Sequence, residues 1–211
     1  MNLVAESFAW PFQGAWRSRF ALGVLMVLLL PAAFIPLLGY SIAATRSAEQ
    51  DPAQGPPPWR LSARLIVDGF WTATVLLVLS SPFVLALNAL ANVMPLQQDY
   101  AHIGAAFLLA LPWGLLLLLL MPHATSRFAV SGHPRDLFDF PAALRGVRRD
   151  FPTWNLAAAA TVTAWAIGVA CVGLLCVGIL PGVFYAILVS AHASATLKAP
   201  ASAAGTNPSA R

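Results

Sequence analysis

The chain has 211 residues, 59% of them hydrophobic and only 9% charged, with a mean hydropathy of +0.74, where a soluble globular protein carries roughly 25% charged residues. A soluble core of this size could not bury so much apolar side chain, so the composition excludes an ordinary aqueous domain and indicates a membrane protein. The net charge of +4 does not indicate nucleic acid: eleven of the twelve basic residues are arginine, and they stand beside apolar segments, where they anchor helices and set orientation.

Taken in chain order, residues 5–19 read as an interfacial helix. Phe8, Phe12, Trp16 and Phe20 recur every four residues, which lines their rings along one side, with Gln13, Arg17 and Arg19 elsewhere. Glu6 and two tryptophans ahead of the apolar region do not suit a secretory signal. Segment 20–45 is long enough to span, but Pro31 and Pro36 each remove a backbone donor and disfavour helix just before them. It either spans with a kink or turns back as a re-entrant hairpin. Residues 45–64, with Glu49, Asp51 and the Gly-Pro-Pro-Pro run at 55–58, read as an aqueous loop that returns to the interface at Trp59.

Segment 68–91 reads as a spanning helix kinked at Ser80-Ser81-Pro82, with Asn88 and Asn92 near its end. A short turn at 92–102 leads to a second spanning segment, 102–121, interrupted by Pro112-Trp113-Gly114. Residues 122–152 carry five of the twelve basic residues. Within them, 137–151 has the spacing of a helix with one apolar face, formed by Leu137, Phe140, Leu144, Val147 and Phe151. Asp139 is placed to cap its start, Pro141 fits its first turn, Pro152 ends it, and Arg145, Arg148 and Arg149 suit its C-terminal half. This cytoplasmic amphipathic helix is expected to bind anionic lipid headgroups, or else to pack on a partner.

Residues 154–197 contain no acidic or basic side chain except His192. As helix they would be about 65 Å long, twice a hydrocarbon core of ~30 Å, so they are expected to cross twice, as 154–177 and 181–197, breaking at Pro181-Gly182. Ala160, Ala164 and Gly168 form a small-residue ridge that admits a second helix closely. Cys171 and Cys176, five apart in apolar surroundings, suit neither a redox pair nor a metal site and read as reduced packing residues. The expected fold is thus a single all-α polytopic membrane bundle over 1–198, followed by a disordered tail at 199–211.

Phe8-Ala-Trp-Pro11, followed by Arg17, Arg19 and Phe20, resembles Phe138-Asp-Phe-Pro141, followed by Arg148, Arg149 and Phe151. Both stretches precede an apolar segment, as two copies of one unit would. Orientation follows from the arginines. If all five apolar segments crossed, Arg17 and Arg19 would face away from the other ten basic residues; if 20–45 is re-entrant, all twelve share one side, which should be cytoplasmic. Four crossings plus a hairpin is therefore the favoured topology, with both termini cytoplasmic in the cell inner membrane.

Trp10-Pro-Phe-Gln-Gly-Ala-Trp16, Gly23, Gly39-Tyr40 with Arg46, Pro58-Trp59, Asp68-Gly69 and the late Pro181, Phe184-Tyr185 and Ala191-His192 resemble, in order, the landmarks of a prokaryotic family of multi-pass membrane proteins described as a domain of unknown function. The chain departs from that pattern at Gln13-Gly14, where an acidic residue followed by proline is commoner. The resemblance implies an integral membrane protein and no particular activity.

No phosphate loop, nucleophile with its base, or metal cluster is visible, and no cofactor is expected. Asp68 and His192 are the ionisable groups at membrane helices, both near the cytoplasmic ends, where they could meet. Their plainer reading is a helix cap and an interfacial histidine. Two functions suit these features: a non-enzymatic scaffold or accessory subunit that packs on a membrane partner or a second copy, and a small permease. The midplane offers a solute mainly Ser80, Ser81 and the backbone freed by Pro82, which favours the scaffold.

Overall fold

The computed structural model of the chain describes residues 2–93, 99–173 and 178–197. Among these it is helical with no strand. The elements are α1 (Asn2–Ala9), a 3-10 turn (Trp10–Phe12), α2 (Trp16–Leu28), α3 (Leu30–Gln50), a second 3-10 turn (Pro52–Gln54), α4 (Ala63–Val93), α5 (Asp99–Ser131), α6 (Arg135–Phe138), α7 (Phe140–Arg149), α8 (Phe151–Ala170), a third 3-10 turn (Cys171–Gly173) and α9 (Ile179–Ala195).

The expected helix over 5–19 is broken. Pro11 favours the short 3-10 turn, and Gly14 sits at φ +62°, a left-handed conformation open to glycine but closed to a proline ring held near −65°. The break lets the linker lie on the loop after α3: a Cβ on Gly14 would stand 2.8 Å from the Gln54 carbonyl, and one on Gly55 (φ +69°) 2.7 Å from that of Gln13. The aromatic rings still meet across the break. Phe12 lies 5.4 Å from Trp16 and 6.4 Å from Phe20, and also 5.7 Å from Tyr185 of α9.

Segment 20–45 is a helical hairpin. Leu29 leaves helical geometry (φ −90°, ψ 23°), and α3 restarts with Pro31 in its first turn, where the missing N–H costs no bond. The two arms return to the same end. Trp59 Nε1 donates to the Arg19 carbonyl at 3.1 Å, and the Arg19 guanidinium donates to the Gln54 and Pro56 carbonyls. In one continuous helix Arg19 and Gln54 would be about 50 Å apart. Phe184 of α9 closes the hairpin, with its ring 5.4 Å from Phe20 and 5.9 Å from Tyr40. Tyr40 in turn stacks on Trp59 at 3.9 Å and donates to the Pro57 carbonyl at 2.8 Å.

The outer arm, α3, is longer than expected and runs to Gln50, so Arg46 and Glu49 lie on a helix rather than in an aqueous loop. It packs antiparallel on the start of α4 through two glycines. A Cβ on Gly39 would fall 1.9 Å from the Leu65 carbonyl oxygen, and one on Gly69 2.0 Å from that of Ile35. Farther along, α4 pairs with α5, where Phe83 stacks on Trp113 at 4.8 Å.

The α8–α9 pair is a second hairpin. Ala160, Ala164 and Gly168 are buried against Ala186, Val189 and Ala193, and a Cβ on Gly168 would reach 2.8 Å from the Gly182 carbonyl oxygen. The small-residue ridge is thus occupied within the chain. Each copy of the internal echo leads into one of these hairpins, with Pro11 opening a 3-10 turn and Pro141 in the first turn of α7.

Several boundaries differ from expectation. The loop expected at 122–152 begins as helix, because α5 carries Pro122 in its interior and ends only at Ser131. The amphipathic segment 137–151 divides at Asp139 into α6 and α7. Pro152 does not end a helix; it lies in the first turn of α8, which Asp150 caps by accepting from the Thr153 N–H. Among the described residues two helices are long and apolar enough to cross a membrane, over Ala63–Asn92 and Ile103–Ser131. The 20 residues of α8 and 17 of α9 do not meet that test alone. Residues 94–98 of the turn expected at 92–102, Cys176 and the tail at 199–211 lie outside the described residues, while the rest of that turn is helical, in α4 to Val93 and α5 from Asp99.

Candidate functional site

Asp68 and His192 do not meet; each is held by partners of its own. Asp68 lies a turn and a half inside α4, so it is not a helix cap. Only 5% exposed, it receives Arg46 Nη2 at 3.0 Å, while the exposed Arg64 approaches to 4.0 Å. Arg46 Nε donates to the Ala129 carbonyl at 2.8 Å. One guanidinium therefore joins α3, α4 and α5, its charge balanced by Asp68 and its Nε–H used on a backbone acceptor, which favours a buried ion pair. One turn along α3, Glu49 accepts from Ser126 Oγ at 2.8 Å and ties α3 to α5 again. From the sequence Arg46 stands only as a landmark after Gly39-Tyr40 and not as a partner for Asp68, because the polar run after Thr45 reads as a loop.

His192 is buried on α9 with Nδ1 2.9 Å from Ser7 Oγ and its ring 5.3 Å from Trp10. A serine beside a histidine has the parts of a nucleophile and its base. Ser7 Oγ also lies 2.9 Å from the Leu3 carbonyl, to which it can donate, and Ser7 has no exposed surface. The contact fastens α1 to α9.

The lipid-interface candidates divide into two groups. Leu137 and Val147 turn inward with Ala143, and the Cβ position of Gly146 lies 3.0 Å from the His123 ring, so the apolar side of α6 and α7 rests largely on α5. Phe140 and Leu144 are half-buried, while Arg145, Arg148, Arg149 and Phe151 are exposed. Asp139 caps α7 as expected. The Ala142 N–H, then Arg127 at 3.2 Å, holds its carboxyl below the usual carboxylate range despite some desolvation. Arg127 also pairs with Asp136 at 2.8 Å, which locks α6 against α5.

Between the two hairpins and α5 lies an open-sided chamber of about 800 Å3. Its walls come from Leu37 and Ser41 of α3, Ala110 through Met121 along α5, Thr161 and Trp165 of α8, and Ile187 and Ser190 of α9. No acidic, basic or histidine side chain lines it. Ser190 Oγ and Trp113 Nε1 are buried there without a hydrogen-bond partner. Sequence reading marked Pro112-Trp113-Gly114 only as an interruption, and nothing in the pattern showed that three separate helices would leave a space beside it.

Among the described residues no group of three or more histidine, cysteine or acidic side chains is placed to hold a metal ion. The site therefore consists of a charged clamp at one end of the bundle, a basic helix beside it and an apolar chamber below.

No curated protein and no solved structure matches the chain. A family model described as a protein of unknown function (DUF4013) matches residues 22–180. The match takes in Gly23, Gly39-Tyr40, Arg46, Pro58-Trp59 and Asp68-Gly69 and leaves out Trp10–Trp16 and the late Phe184-to-His192 landmarks. Covering most of the chain, it shows that this protein belongs to the DUF4013 family of proteins of unknown function.

Proposed function

We propose that the chain is a polytopic inner-membrane protein, four crossings and one re-entrant hairpin with both termini cytoplasmic, that acts without catalysis as a scaffold or accessory subunit. The observation that carries this reading is the outer surface of α4 and α5. Only 6% of the apolar window of each is buried, and Leu77, Leu85, Phe107 and Leu108 are each at least 65% exposed. Apolar surface of that extent calls for lipid or another membrane helix. The return of Arg19 to Gln54 and Pro56 supports the one-sided placement of the basic residues.

Photo-crosslinking residues placed at Leu77 and Leu108 in native membranes test the scaffold role. It predicts one discrete adduct, with a defined membrane protein or a second copy. Lipid adducts alone at both positions would contradict it. The permease alternative draws on the chamber, but the lining offers a polar solute only hydroxyls and an indole N–H. It would prevail if reconstituted vesicles accumulated a solute and Asp68→Asn with His192→Ala abolished uptake while leaving the fold intact.

A further inference from the structure

Resting on the membrane reading above, we infer that the chamber holds an acyl chain of one anionic phospholipid whose headgroup lies against α7. The dimensions fit. Ala110 to Thr125 of α5, both in the lining, span about 22 Å of helix axis. Thr161, on the opposite wall, is ten residues from the start of α8 at Phe151, or about 15 Å, the depth of one leaflet's hydrocarbon.

Charge selects the headgroup. Arg145, Arg148 and Arg149 are exposed on α7, which runs directly into the chamber's α8 wall, and among the described residues none of the three forms an ion pair. Of the other arginines at this end, Arg46 and Arg127 are already neutralised by carboxylates. The lining supplies apolar surface with no charge to desolvate, and its exposed side chains, Leu111, Leu115, Val162 and Trp165, are apolar, so the open side suits entry of a chain from a bilayer. A polar solute would find few partners on that wall, whereas a hydrocarbon chain matches its apolar surface and asks no hydrogen bond of it, leaving Ser190 Oγ and Trp113 Nε1 as they already are.

The test uses the full chain reconstituted in vesicles of equimolar phosphatidylcholine and phosphatidylglycerol, re-extracted in mild detergent and weighed by native mass spectrometry. One retained phospholipid is expected, enriched in phosphatidylglycerol. Gly114→Phe should displace it. A Cβ at Gly114 meets nothing within 4 Å, so the ring enters open space, and replacing a helical glycine favours rather than opposes folding. The triple variant Arg145→Gln, Arg148→Gln, Arg149→Gln should keep a lipid but lose about tenfold in preference for phosphatidylglycerol, the worth of one to two basic residues at an anionic surface. The proposal is overturned if the wild type retains no lipid, if Gly114→Phe retains as much as wild type, or if the triple variant leaves the preference unchanged. Each of those results leaves the membrane reading standing, whereas a chain that stayed in the aqueous phase with the vesicles would remove both.

Discussion

Replacing Asp68 with alanine should destabilise the protein by about 3 kcal/mol, the low end of the cost of stripping one partner from a buried ion pair. Arg46 would keep its charge in a site where its side chain is only 17% exposed, with the Ala129 carbonyl as its remaining short-range acceptor. For a chain of this length the thermal midpoint should fall on the order of 10 °C. Replacing both partners, as Arg46→Met with Asp68→Leu, should recover most of the loss, because no charge is then stranded. Arg64→Ala, which removes an exposed arginine 4.0 Å away, should change stability by less than about 0.5 kcal/mol. Unfolding of the three variants and the wild type in one detergent gives the comparison, and a loss for Asp68→Ala no larger than that for Arg64→Ala would show that Arg46 is not held by this carboxylate.

The glycine crossing between α3 and α4 should be at least as sensitive. In Gly69→Ala the new carbon would lie 2.0 Å from the Ile35 carbonyl oxygen and 2.8 Å from the Gly39 nitrogen, all backbone atoms with no side chain to swing aside. The two helices must separate, at a cost of about 3 kcal/mol or more, the upper end of what overpacking usually exacts. Because Arg46 reaches Asp68 across the same interface, the separation should also weaken that ion pair. Gly69→Ala and Asp68→Ala should therefore be less than additive in combination. Gly104 is the contrast: nothing lies within 4 Å of its Cβ position, so Gly104→Ala should be neutral or stabilising by up to about 1 kcal/mol. Equal effects at Gly69 and Gly104 would mean that the close crossing does not hold α3 to α4.

These two interfaces explain which parts of the sequence were informative. Gly23, Gly39-Tyr40, Arg46, Pro58-Trp59 and Asp68-Gly69 are short landmarks with no chemistry in common. Folded, they converge: Gly23, Tyr40 and Trp59 surround Phe184, and Gly39, Gly69, Arg46 and Asp68 make one helix crossing. The break at Leu29 could be read from Pro31, which opens α3, and from the placement of the arginines, whereas Pro36, expected to disfavour helix as well, lies inside α3.

What touches what could not be read in the same way. The apolar face of 137–151 was visible in its period, but a period shows only that a face avoids water, not whether lipid or α5 covers it, and Leu137 and Val147 proved to be covered by protein. Asp68 and His192 were assigned to the same end of the molecule, yet they belong to different helix pairs, with Arg46 beside one and Ser7 beside the other. Gly14 broke a convincing four-residue aromatic repeat because its left-handed turn serves contact with a loop some forty residues away.

The membrane account turns on where Gln50 lies. After replacement of Cys171 and Cys176 by serine, single cysteines at Gln50 and at Asn92 can be probed with a membrane-impermeant maleimide on intact cells and again after lysis. A re-entrant α2–α3 hairpin predicts that the cysteine at 92 is labelled from outside, whereas the cysteine at 50 reacts only once the cells are opened. Labelling at 50 on intact cells would place the two arms of the hairpin on opposite sides of the membrane and contradict the account.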